Sequence, residues 1–193
     1  VHTAMLTSVI AGGIVLFIGF FGCRTFLTWM GTPDNVIDLS TTYMKIYFLG
    51  MPACMVYNFG ASVMRSIGDT KRPLIFLITA GIVNVLLNLL TVIGFRMGVA
   101  GVAIATVASQ VISAILVIRA LTLREDCCHL NTKEIHIYKD KLIGMIKVGL
   151  PAGIQGSLFS LSNVIIQSSV NSFGSVVVAG NAAAANIEGF VYI

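Results

Sequence analysis

Residues 47–73, YFLGMPACMVYNFGASVMRSIGDTKRP, limit what this chain can fold into more than any other stretch. No charge falls between Leu49 and Met64, and Arg65 ends the run. A tight Gly68-Asp69-Thr70 turn leads through Lys71 and Arg72 into a new apolar run at Pro73. Two long apolar segments joined by a short basic turn suit a bilayer far better than water. Composition agrees: 56% of residues are hydrophobic and 10% are charged, against about 25% charged in soluble domains. So little polar surface could not cover a core in water. The net charge of +4 does not point to nucleic acid, because the basic residues cluster in loops between apolar runs.

A span needs roughly 20 apolar residues to cross the hydrocarbon. The sequence predicts six spans, at 4–29, 43–64, 73–95, 99–121, 142–173 and 176–193, the last incomplete. The chain begins at Val1, lacks a basic n-region, and stops within an apolar run. The first span is therefore not read as a signal peptide, and the chain is expected to be a piece of a longer membrane protein. A complete short protein with a frayed last helix is the alternative. Orientation follows from Lys and Arg. The turn at 65–72 holds three, and 119–147 holds six (Arg119, Arg124, Lys133, Lys139, Lys141, Lys147). The other side carries Arg24, Lys45 and Arg96. Two spans separate the basic segments, so both are expected on the cytoplasmic side, with 31–42 and 94–98 outside.

Proline, glycine and polar caps punctuate the spans as helix physics requires. Asp69 or Thr70 can cap the third helix, whose first turn tolerates Pro73. Pro52, two residues after Gly50, should bend the second span. Pro151 is expected to mark where the fifth helix enters the bilayer. The small residues at 98–103 open the fourth span and allow close backbone approach.

Polar residues inside the spans bear most on function. At 100° per residue, positions three or four apart share a face. Asn84, Asn88 and Thr91 form such a stripe on the third span, and Thr106, Ser109, Gln110 and Ser113 on the fourth. Asn163, Gln167 and Asn171 form one on the fifth, with Gln155, Ser157 and Ser160 a turn or two earlier. A carboxamide facing lipid would leave several polar valences unsatisfied, so these stripes should face protein or a watery cavity. One reading is interhelical hydrogen-bond glue, worth about 0.6 kcal/mol per bond. The other is a cavity shared by all three spans.

Enzyme chemistry finds little footing. Glu188 is the only acidic residue within a span, and His2, His129 and His136 lie at the chain end or in the long connection. No Ser/His/Asp arrangement or Walker-type phosphate loop is present. Cys23 and Cys54 sit in apolar runs and read as small hydrophobes. Cys127-Cys128-His129 lacks metal-ligand spacing, since adjacent cysteines strain a single tetrahedral site. Transport powered by an ion gradient is the natural reading.

Four segments carry a family likeness: GASVMRSIGDTKRP at 60–73, Asn84-Val85-Leu86-Leu87-Asn88, GVAGVAIAT at 98–106, and Gly149-Leu150-Pro151. Val178-Ala179-Gly180-Asn181 onward resembles the start of a further helix. With these the chain resembles the multidrug and toxic compound extrusion (MATE) transporters of the flippase-like superfamily. The resemblance implies an all-α, polytopic helix bundle built as two six-helix lobes. Matched in order, residues 1–121 would be the later part of the first lobe, 122–141 the cytoplasmic linker, and 142–193 the start of the second lobe.

The resemblance also implies export of amphipathic or cationic drugs in exchange for H+ or Na+, by rocking around a central cavity. No cofactor beyond the coupling ion and no nucleic-acid partner is expected. The protein should meet membrane lipid and small-molecule drugs, and should be a monomer when full length. By motif position a first-lobe cation site would fall on Tyr43, Asn84, Asn88 and Thr106, with Asn58 a neighbour. Gln110, Asn163 and Gln167 join the expected pathway from their stripes, and Glu188 joins it either as a replacement for the second-lobe glutamate of another branch or as a residue at a lobe interface or in a hydrated vestibule. Some family members have aspartate where this chain has Asn88, and an amide cannot release a proton at physiological pH. The second-lobe glutamate of another branch has no match in the uncharged Leu158-Phe159-Ser160-Leu161. A lipid-linked oligosaccharide flippase would share the architecture but should show a more basic cavity. A channel, or a non-transporting structural subunit whose stripes are glue, completes the alternatives.

Overall fold

The computed structural model describes residues 1–124, 129–130 and 136–192. Its elements are helices α1 (His2–Trp29), α2 (Asp34–Leu49), α3 (Met51–Ser66), α4 (Lys71–Asn88), α5 (Gly98–Thr122), α6 (Lys139–Asn171) and α7 (Ser175–Tyr192). A π-helical turn, Leu89–Gly94, carries α4 onward. By length and composition, α1, α5, α6 and α4 with its π-turn can each cross a membrane. The pair α2–α3 makes a fifth if counted as one span bent by 48°. Among the described residues α7, expected as an incomplete sixth span, is not in that set.

The second span departs from expectation at its start. Helix begins at Asp34 rather than residue 43, so the connection expected over 31–42 shrinks to the few residues between Trp29 and Asp34. A search for apolar runs misses these turns because Asp34, Asn35, Asp38, Ser40, Thr41 and Thr42 are polar. Asp34 suits the first turn, where a negative charge meets the positive end of the helix dipole. Thr41 and Thr42 donate to carbonyls four residues back, and Asp38 lies 3.5 Å from Arg24 of α1. The bend expected from Pro52 is present, at Gly50 between α2 and α3.

Helices α1 to α5 pack as one bundle, with α5 touching α2, α3 and α4. Its apolar core sits where the start of α1 meets the ends of α3 and α5, around the fully buried Met64, Val117 and Leu121. A Cβ at Gly60 would lie 2.1 Å from Val117 Cγ1, so α3 reaches this close to α5 only because residue 60 has no side chain.

The turn at 67–70 closes this end of the bundle. Gly68 has φ +83°, and its N–H bonds Arg65 O at 3.0 Å while Asp69 N–H bonds Met64 O at 3.1 Å. This is a Schellman motif, and its left-handed residue favours glycine. Asp69 then turns to α4, accepting from Arg72 N–H at 3.3 Å, and pairs with the Arg124 guanidinium beyond the end of α5. Asp69, not the N-cap Thr70, thus supplies the side-chain bond to the first turn. Leu130 N–H bonds Leu121 O at 3.0 Å, and its side chain joins the core. The two basic segments therefore meet at one end of the bundle, as the span count requires. Residues 125–128 and 131–135 of the expected linker, with Cys127, Cys128 and Lys133, lie outside the described residues.

Helix α6 stands apart, touching α1 near its two ends. Tyr138 N–H bonds Thr3 Oγ1 at 3.2 Å, and Asn171 Nδ2 bonds Met30 O at 2.9 Å. It runs unbroken through Pro151. Helix α7 packs on α6.

Candidate functional site

The two stripes predicted on α4 and α5 meet. Asn84 Nδ2 donates to Ser109 Oγ at 3.3 Å, and Asn88 Nδ2 donates to Asn84 Oδ1 at 2.9 Å. The π-turn after Asn88 aims Thr91 across the interface, where its hydroxyl lies 3.1 Å from Gly101 O. A Cβ on Gly101 would stand 3.0 Å from Thr91 Cβ, so the small residues opening α5 do permit close approach there. This part of both stripes is glue in the sense expected.

Glue does not account for all of it. Helices α3 and α4 each pack against α5 but scarcely against one another, which leaves a groove of about 420 Å³ between them. Ser109, Gln110 and Ser113 of α5 form its floor. Cys54, Tyr57 and Asn58 form one wall; Leu77, Ala80, Gly81 and Asn84 form the other. Tyr57 donates to Pro73 O at 3.0 Å and ties the walls together toward the basic end. Every polar group in this lining is uncharged. Two buried carboxamide oxygens, Asn88 Oδ1 beside the groove and Gln110 Oε1, have no hydrogen-bond partner among the described residues. An unsatisfied buried acceptor costs about 1–3 kcal/mol. The arrangement can accept a cation, a water or a hydrogen-bond donor, and its lining holds no carboxylate.

The predicted site residues divide accordingly. Asn58, Asn84 and Gln110 line the groove, and Asn88 joins it through Asn84. Thr106 bonds back to Val102 O at 2.9 Å on its own helix. Tyr43 stacks on Tyr47 of α2, with ring centroids 6.1 Å apart, outside the groove lining. The third stripe does not share the cavity. Asn163 is exposed on α6, Gln167 donates to Asn171 Oδ1 at 2.9 Å, and Glu188 is exposed on α7. Among the described residues the cavity is lined by α3, α4 and α5, while α6 meets the bundle at α1. Cys54 and Tyr57 were not foreseen in the lining. Their signal was present, since Cys54, Tyr57 and Asn58 share one helical face, and Asn58 Nδ2 donates to Cys54 O at 2.9 Å.

Fold and site together define a multi-pass membrane bundle with an uncharged polar groove inside it. The MatE family model matches residues 1–90. The chain is 33% identical over 173 residues to "Probable multidrug resistance protein YpnP" of Bacillus subtilis, covering 90% of this chain and 38% of that protein. It is 31% identical over 183 residues to "Probable multidrug resistance protein YoeA" of the same organism, covering 91% and 39%. Against "Multidrug export protein MepA" of Staphylococcus saprophyticus the identity is 22% over 170 residues, covering 88% and 38%. A solved structure described as the inward-facing conformation of a multidrug resistance MATE family transporter of the MOP superfamily shares the fold. It superposes with a TM-score of 0.74 at 22% identity, covering 87% of this chain and 38% of that one. The chain belongs to the MatE family, and spans about two fifths of the length of these relatives.

Proposed function

We propose that this chain forms part of a secondary active exporter, in which it supplies most of one lobe, the linker and the start of the other. The exporter exchanges amphipathic or cationic organic molecules for H+ or Na+ by alternating access. The observation that carries the reading is the uncharged groove with the carbonyl oxygen of Asn88 beside it, buried without a hydrogen-bond partner among the described residues. Amide oxygens are hard, neutral ligands of the kind a Na+ ion takes from transporter helices. The names of YpnP, YoeA and MepA supply the substrate class. Asn88 carries no titratable proton, so coupling to H+ would need an acid from elsewhere in the protein. The basic end of the bundle faces the cytoplasm of a cell-membrane protein that acts as a monomer.

The test is drug resistance conferred by the full-length protein in a bacterium stripped of its own exporters. Asn84→Ala and Asn88→Ala should lower resistance to a cationic dye more than Asn163→Ala does. Wild-type resistance from both groove variants would remove the groove from the transport path. Repeating the assay with Na+ replaced by K+ at fixed pH separates the two coupling ions.

A further inference from the structure

The bent span α2–α3 is gripped from both sides at its break. On one side, α1 sets two glycines seven residues apart against it. A Cβ on Gly12 would lie 2.6 Å from Pro52 Cα, and one on Gly19 would lie 2.2 Å from the Phe48 ring. On the other side, α5 presents Gln110 and Val107. A Cβ on Gly50 would lie 2.5 Å from Gln110 Oε1 and 3.0 Å from Val107 Cγ2. That same Oε1 is buried with no hydrogen-bond partner among the described residues. Pro52, in the first turn of α3, has no N–H to continue the backbone ladder across the break.

These features share one physical meaning. A carbonyl oxygen held dry and unpaired against a backbone is unfavourable, and it persists only where the surroundings impose it. Here α2 meets α3 at an angle that presses Gly50 onto the Gln110 carboxamide. The α1 glycines give the bent helix a smooth track, with no side chain to lock its angle. We propose that Gly50 is a hinge about which α2 changes its angle to α3, and that Gln110 is the positioning residue that sets that angle. In the bent position Gln110 Oε1 goes without a partner. As α2 straightens, Gly50 lifts from the carboxamide, and the oxygen gains access to water or to the free N–H groups of the first turn of α3. The use of the hinge in export rests on the transport reading, while its existence does not.

The experiment is pulsed electron-spin distance measurement on the full-length protein in lipid nanodiscs. One label goes on Asn35 at the start of α2 and one on Met97 between α4 and α5, both exposed at the same end of the bundle. The wild type should show two distance populations. Gln110→Leu, which keeps the bulk and removes the orphan oxygen, should leave only the bent one. Gly50→Ala drives a methyl into Gln110 and Val107, so it should favour the other population, and Gly50→Ala/Gln110→Ala should restore the bent one. A single distance shared by the wild type and both single variants would overturn the hinge. Ethidium efflux by the same proteins reads the purpose separately. Gln110→Leu should lower the maximal rate about fivefold and shift KM with it, as substitutions at gating positions often do. An unchanged maximal rate would overturn the positioning role of Gln110 in transport. Two populations in a wild type that exports nothing would uphold the hinge and sink the transport reading.

Discussion

The bundle α1–α5 and the arm α6–α7 are written in the same alphabet, with Asn and Gln at three- and four-residue spacing along apolar helices. In the bundle some of those groups bond across helices, Asn84 to Ser109 and Thr91 to Gly101, beside bonds along one helix such as Asn88 to Asn84. In the arm they bond along their own helix: Ser157 donates to Gly153 O, Asn186 to Ala182 O, and Gln167 to Asn171. Among the described residues of the arm, Asn171 at the end of α6 reaches across to Met30 O, just past α1. The bundle has buried side chains and a groove, while Asn171 is the one buried residue among those described on α6. A polar stripe therefore acquires a role only from the helix set opposite it. This matters more in lipid than in water, because lipid supplies no hydrophobic drive between helices and leaves packing and polar pairing to decide.

Four substitutions sharpen or break that contrast, in falling order of effect. Met64→Ala empties a fully buried site where α3 meets α1 and α5, and should cost about 2 kcal/mol. Thermal melting in detergent reads this, with Leu161→Ala on the exposed face of α6 as the comparison. Equal shifts in the two would erase the difference between bundle and arm. Gly68→Val forces a β-branched residue into a left-handed turn, at about 1–2 kcal/mol. A lower yield of inserted protein and a lower melting point are expected, and unchanged values would show that the turn accepts a side chain.

Arg124→Gln removes the partner that holds Asp69 at the basic end. This pair is largely shielded from solvent, so its loss should exceed the upper limit of an exposed pair, about 1 kcal/mol. Protease cleavage after residue 124 should speed up accordingly, and an unaltered rate would mean that the pair does not hold the connection. Asn84→Ala loses one bond to Ser109, worth about 0.6 kcal/mol. Asn163→Ala on α6 should be neutral in the same melt. A larger loss at Asn163 would mean that α6 has a partner surface that the bundle does not provide.

Much of the fold was legible from local rules. Apolar length marked the helices, Pro52 foretold the bend at Gly50, and Gly68 sat where a left-handed cap was needed. The polar start of α2 was missed because its side chains satisfy themselves through Asp38, Thr41 and Thr42, and so leave no apolar run to count. Within the site, Asn84, Asn88 and Gln110 were readable, since a carboxamide in a span demands a partner. Cys54 and Tyr57 stood on the right face but look like ordinary core residues. The ion pair of Asp69 with Arg124 joins positions 55 residues apart, and no local pattern points from one to the other.

By itself the sequence determined that this is an all-helical membrane chain, where its apolar helical stretches run, and which ends carry the positive charge. Those properties depend on the transfer of each segment into lipid and on backbone rules that act within a turn or two. Only the tertiary structure decided that α3, α4 and α5 enclose the groove while the matching stripe on α6 does not. It also decided that Gln110 presses on Gly50 rather than into open space. Both depend on which helices meet and how closely, and close approach is governed by glycines and small residues whose partners lie far along the chain.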